Sequence, residues 1–148
     1  DLGVRLVGSE MCIRECFMTN AIGPAHFLKH VRSFLNNKSS SVVSVLSARV
    51  GSIEDNKLGG WYSYRAAKAA LNQIVKSFSI ELSRSHPKAC LLAIHPGTVD
   101  TNLTHRYASK HPTKTPTEAA QNILDVTLTK DSSHTGRFYD WTNEEIPW

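Results

Sequence analysis

The chain has 148 residues, 41% of them hydrophobic, a formal charge of +4 and a pI near 9.1, which allows one modest domain with its own core. Lys and Arg are dispersed between Arg5 and Arg137 without a dense basic run, which argues against nucleic acid as a partner. No apolar stretch is long enough to span a bilayer and no secretory pattern opens the chain, so no membrane partner and a cytoplasmic setting are expected, with Cys12, Cys16 and Cys90 reduced.

Residues 1–14 form a doubtful segment. Within it, residues 6–14 read like a translated transposase-library sequencing adaptor, the alternatives being a divergent native segment or a start at Met11, and no function is placed there. Over residues 15–36, Phe17, Ile22, Ala25, Phe27, Leu28, Val31 and Leu35 recur at helical spacing, with Gly23 and Pro24 weakening the middle. His26 and His30 lie four apart on this helix, but no third ligand accompanies them, so surface histidines and no metal are expected.

Residues 42–46 and 90–94 are near-continuous apolar runs, the pattern of strands covered on both faces of a parallel sheet. Gly51, Asp55, Asn56, Gly59 and Gly60 mark a loop after the first of them, expected to border a substrate. A helix follows over residues 62–85, burying Ala67, Ala70, Leu71, Ile74, Val75, Phe78 and Leu82 and stopped by His86 and Pro87. Thr115 or Thr117 caps a further helix that opens at Pro116 and runs to about Thr129. Residues 136–141 read as a last short strand, with Trp148 packing near the substrate end or a subunit contact.

Strand, crossover helix and strand form a right-handed βαβ unit, so the segments after Leu46 and Ile94 emerge at one sheet edge, where ligands bind in such folds. Tyr64 and Lys68 stand four apart, on one face of the crossover helix. A phenol beside a fixed ammonium is expected to titrate below its ordinary value and to donate a proton near neutrality. Tyr62 points to another sector of the helix.

The strings LSARVGSI, GGWYSYRAAKAALN, HPGTVDT and the ending GRFYDWTNEEIPW together make residues 17–148 resemble the short-chain dehydrogenase/reductase family, particularly its C-factor-like branch. The resemblance implies an α/β fold in which residues 15–148 are the C-terminal part of a Rossmann-like doubly wound parallel sheet. The N-terminal βαβαβ half, with its glycine-rich phosphate-binding turn, is missing from this sequence. The implied activity is interconversion of an alcohol and a ketone or aldehyde by hydride transfer, with NADP or NAD as cofactor and a small-molecule carbonyl or alcohol as substrate. Tyr64 is then the general acid or base and also a cofactor-binding residue, and Lys68 lowers its pKa and holds the nicotinamide ribose hydroxyls. Asn20 holds a water that connects to the lysine, and Pro96, Gly97, Thr98, Val99 and Thr101 lie near the nicotinamide.

The family serine, three residues before the strand-end glycine, falls on Ala48 when counted from Gly51. Ser47 and Ser52 flank it. Ser47 is taken as the catalytic candidate, although a shift of one residue on a strand reverses the side-chain face. Residues 102–115 are expected to form a substrate lid, and helices 17–36 and 62–85 a homodimer contact. The fragment alone is expected to be inactive, because the missing strands leave an exposed sheet edge. The alternative is a non-catalytic signalling or interaction protein.

Overall fold

A strand without polar positions needs cover on both faces, and the chain meets that condition by alternation. In the computed structural model, which describes residues 10–101, 104 and 113–148, three strands form a parallel sheet in the order β1-β2-β3. They are β1 (Ser41–Leu46), β2 (Ala89–His95) and β3 (Phe138–Asp140). Residues 1–9 of the doubtful segment and most of the expected lid lie outside the described residues. Ala89, Leu91 and Ala93 of β2 join Leu71, Val75 and Leu82 of the helix α3 (Tyr62–Ser85) in one core cluster, together with Phe138 and Ile146. Cys90, Leu92 and Ile94 turn to the opposite face and pack with Val126 of α4 (Pro116–Leu128) and Tyr139. The two-residue side-chain period of a strand thus feeds two cores, one under each helix layer.

The first helical region is not the single helix expected over residues 15–36. It begins at Glu10 and divides into α1 (Glu10–Phe17), a π-turn (Met18–Ile22), α2 (Gly23–Val31) and a 3-10 turn (Arg32–Phe34). Pro24 explains the break. It has no N–H to donate to the Asn20 carbonyl, and the Gly23 N–H reaches back to the Met18 carbonyl, five residues earlier, as a π-turn requires. α1, the π-turn and α2 pack against α3, and His26 and His30 are exposed.

Thr115, not Thr117, caps α4. Its hydroxyl accepts from the Glu118 N–H at 3.2 Å while the Glu118 carboxylate accepts from the Thr115 N–H at 2.8 Å, a reciprocal capping box with Pro116 at the first helical position. Thr115→Ala is expected to lower stability by about 1 kcal/mol, read as a lower urea midpoint with an unchanged slope.

The last strand ends at Asp140, short of Trp141, because the Asp140 carboxylate accepts the N–H groups of Thr142 and Glu144 and turns the chain. The chain then returns along β3, with the Ile146 N–H donating to the Phe138 carbonyl at 2.8 Å. Trp148 stacks on Phe138 at 5.6 Å between ring centroids. Its carbonyl accepts from Ile53 and Glu54, both at 3.2 Å, which ties the end of the chain to the loop expected to border a substrate. Among the described residues no helix is long and apolar enough to cross a membrane, and no group of three or more metal-binding side chains gathers.

Candidate active site

Ser47 and residues 96–101 of the expected site follow directly on the carboxyl ends of β1 and β2. Past β1, Ser47 and Ala48 lead into a 3-10 turn, Arg49–Gly51, which lies directly on α3. A Cβ on Gly51 would sit 2.7 Å from Lys68 Cβ and 2.8 Å from the Lys68 carbonyl carbon. Glycine is therefore what lets turn and helix touch. Lys68 is only 8% exposed, and its Nζ donates to the carbonyl of Leu46, the last residue of β1, at 3.0 Å. Burial lowers its pKa, opposed by the Cys16 thiol group.

Lys68 Nζ lies 5.9 Å from the centre of the Tyr64 ring, so the helical spacing brings the pair together as expected. The direction of the Tyr64 shift differs from the expectation. Burial raises its pKa, and Cys16 raises it further. Desolvation disfavours the phenolate more than the ammonium, itself engaged by the Leu46 carbonyl, favours it. Tyr64 is thus held as a neutral phenol, and burial alone makes it a weaker acid than a free tyrosine.

Asn20 sits in the π-turn, and its amide donates back to the Cys16 carbonyl at 3.0 Å. Its side-chain donor is thus used inside its own helix, while its main-chain carbonyl is the group Pro24 cannot serve. Ser47 is 3% exposed and its hydroxyl donates to Asn72 Oδ1, on α3, at 2.6 Å. It belongs to the packing of strand against helix, with its one proton committed. Ser52 is equally enclosed: its hydroxyl accepts from the Asp55 N–H at 3.1 Å and donates to the Trp148 carbonyl at 3.4 Å. Ala48, between them, presents a methyl group.

The turn after β2 carries Pro96, Gly97, Thr98, Val99 and Thr101. It is held by a strap at Lys114, whose N–H donates to the Thr98 carbonyl at 3.0 Å and whose carbonyl accepts from Asp100 at 2.8 Å. Thr104 adds a second tie, its hydroxyl donating to the Val99 carbonyl and accepting from the Thr101 N–H. His95, just before the turn, has a buried Nδ1 without a partner among the described residues. Burial pushes its pKa down to about 4, Asp140 opposing and Arg49 reinforcing, so the ring is neutral at physiological pH. Cys90 is buried and pushed up to about 12, mainly by desolvation, and stays a thiol.

Arg65 escaped the sequence reading. Its Nε donates to the carbonyls of Gly59 and Gly60 at 3.1 and 2.9 Å, and its Nη1 to that of Val50 at 3.3 Å. It clamps a loop in which Gly59, Gly60 and Trp61 all have positive φ, at 64°, 70° and 49°. The strained entry aims α3, and hence Tyr64, from a fixed point. Its partners are main-chain carbonyls, which carry no residue identity for a sequence to show. Ile53, Leu58 and Trp61 are exposed on this loop.

A family model described as short chain dehydrogenase matches residues 5–112, starting within the 1–14 segment. A 1-hydroxy-2-glutathionyl-2-methyl-3-butene dehydrogenase of Rhodococcus sp. (strain AD45) is 36% identical over 92% of this chain and 58% of its own length. The C-signal of Myxococcus xanthus is 33% identical over 89% of this chain and 76% of its own. Among solved structures, an NADPH-bound carbonyl reductase from chicken fatty liver is 26% identical with a TM-score of 0.79, covering 95% of this chain and 58% of that one. A carbonyl reductase from Pseudomonas aeruginosa PAO1, also 26% identical, has a TM-score of 0.76 over 95% and 57%. The chain thus spans somewhat more than half the length of most relatives it matches.

Proposed function

The chain belongs to the short-chain dehydrogenase family, and on that premise we propose that the full-length protein is an NAD(P)-dependent reductase interconverting a ketone or aldehyde and an alcohol. The observation that carries this reading is the Tyr64 and Lys68 pair at the carboxyl edge, pinned there by the Lys68 bond to Leu46 and by the contact of Gly51 with the helix.

The residues present fit the nicotinamide riboside end of such a cofactor. An ammonium has three donors; among the described residues Lys68 gives one, to Leu46, and keeps others for ribose hydroxyls. The pyrophosphate end has no counterpart in this sequence, which holds no glycine-rich strand-turn-helix. The cofactor supplies a hydride when bound. Tyr64 gives its proton to the carbonyl oxygen of the substrate, Lys68 holds positive charge beside it, and the Asn20 carbonyl holds a water through which the proton is replaced. Residues 96–101 face the nicotinamide carboxamide, and Ile53, Leu58 and Trp61 offer an apolar wall to the substrate.

With Ser47 and Ser52 committed inside the fold, no hydroxyl supports the carbonyl oxygen from the Ala48 position. A positioned donor lowers such a barrier by about 3 kcal/mol, so Ala48→Ser is expected to raise kcat about tenfold or more. The reading itself is tested by following the nicotinamide absorbance of the full-length protein with NADPH and NADH against a panel of ketones and aldehydes. Folded protein that turns over none of them refutes it. A non-catalytic interaction role is the second reading, supported by Ala48 and by the similarity to C-signal; it predicts no turnover even after Ala48→Ser. The same proposal includes a cytoplasmic location and a homodimer through helices 17–36 and 62–85, on which Phe27, Phe34 and Ile80 are exposed.

A further inference from the structure

Trp141 lies beyond β3, far in sequence from the turn that leaves β2, yet its indole fills the space beside that turn. A Cβ on Gly97 would lie 2.9 Å from both Cδ1 and Nε1 of Trp141, and Gly97 has a φ of +80°. Lys114 places its Nζ over the same ring, and it is the main chain of Lys114 that bonds Thr98 and Asp100. The indole is therefore shared between the turn residue and the strap residue, contacting one through its edge and the other through its face.

We propose that Trp141 is the positioning residue of the turn formed by residues 96–101. Its edge sets the approach of Gly97, and its hold on Lys114 keeps the strap paired with Thr98 and Asp100. The consequence for cofactor binding rests on the reading that this turn faces the nicotinamide; the packing does not.

In the full-length protein, Trp141→Ala is expected to speed hydrogen exchange at the Asp100 and Lys114 amides about tenfold. It is also expected to raise the cofactor KM about tenfold while kcat and the carbonyl KM stay within about twofold. Trp141→Phe, which keeps an aromatic face for Lys114, is expected to bring both readouts most of the way back. Unchanged exchange at both amides overturns the proposal. Faster exchange with an unchanged cofactor KM upholds Trp141 as the support of the turn and overturns the nicotinamide reading instead. If Trp141→Ala does not fold, Gly97→Ala presses a Cβ onto the same indole. Adding Trp141→Leu to it is then expected to recover part of the lost melting temperature, and no recovery overturns the proposal.

Discussion

Tyr64→Phe in the full-length protein is expected to lower kcat for carbonyl reduction about a thousandfold, within the range a general acid contributes, with cofactor binding changed less than about twofold. Only the hydroxyl is lost. The ring stays under the same burial, and Lys68 keeps its bond to the Leu46 carbonyl, so a folding defect is not expected to mimic the result. The pH dependence follows from the direction of the Tyr64 shift, upward through burial and then through Cys16. A raised pKa keeps the phenol protonated through neutrality, so the reduction rate is expected to be flat there. Alcohol oxidation needs the phenolate, and its rate is expected to climb with pH through the ordinary tyrosine range and beyond. An oxidation profile that levels off well below that range would show that positive charge at the site outweighs burial when substrates are bound.

Gly51→Ala carries the second large effect, on stability and activity together. The added methyl would meet the Lys68 Cβ at 2.7 Å and the Lys68 backbone at 2.8 and 3.1 Å, and helix backbone cannot swing aside as a flexible side chain can. Gly51 is not among the positive-φ residues, so the cost is overpacking alone, about 1 to 3 kcal/mol. To admit the methyl, the turn and α3 must separate, which draws Lys68 away from the Leu46 carbonyl. Small misplacements of a positioning group cost orders of magnitude in rate, so kcat/KM is expected to fall about tenfold or more, alongside a lower melting temperature. A variant that melts lower but keeps wild-type kcat/KM would place the stabilising contact correctly and the catalytic one wrongly.

Much of this molecule is legible in its sequence because it depends on spacing along one element. The apolar run in residues 90–94 leaves no solvent face, which only a strand under two helix layers tolerates, whereas the run in residues 42–46 belongs to the edge strand and ends on an exposed Leu46. Tyr64 and Lys68 share a face wherever a helix forms, and Pro116 between two threonines marks a helix start whatever surrounds it, though the choice of Thr115 as the cap came with the fold. Gly23 and Pro24 announced a weakness but not its form, since a π-turn is one of several ways to lose a helical bond.

What the tertiary structure alone decided lies between elements distant in the chain. The partner of Ser47 is 25 residues away, the space beside Gly97 is filled by Trp141, and the clamp made by Arg65 grips carbonyls that any residue could present. The direction of the Tyr64 shift belongs here too. A helical repeat fixes where an ammonium lies, whereas desolvation depends on everything packed around the phenol, and in this protein desolvation is the larger effect.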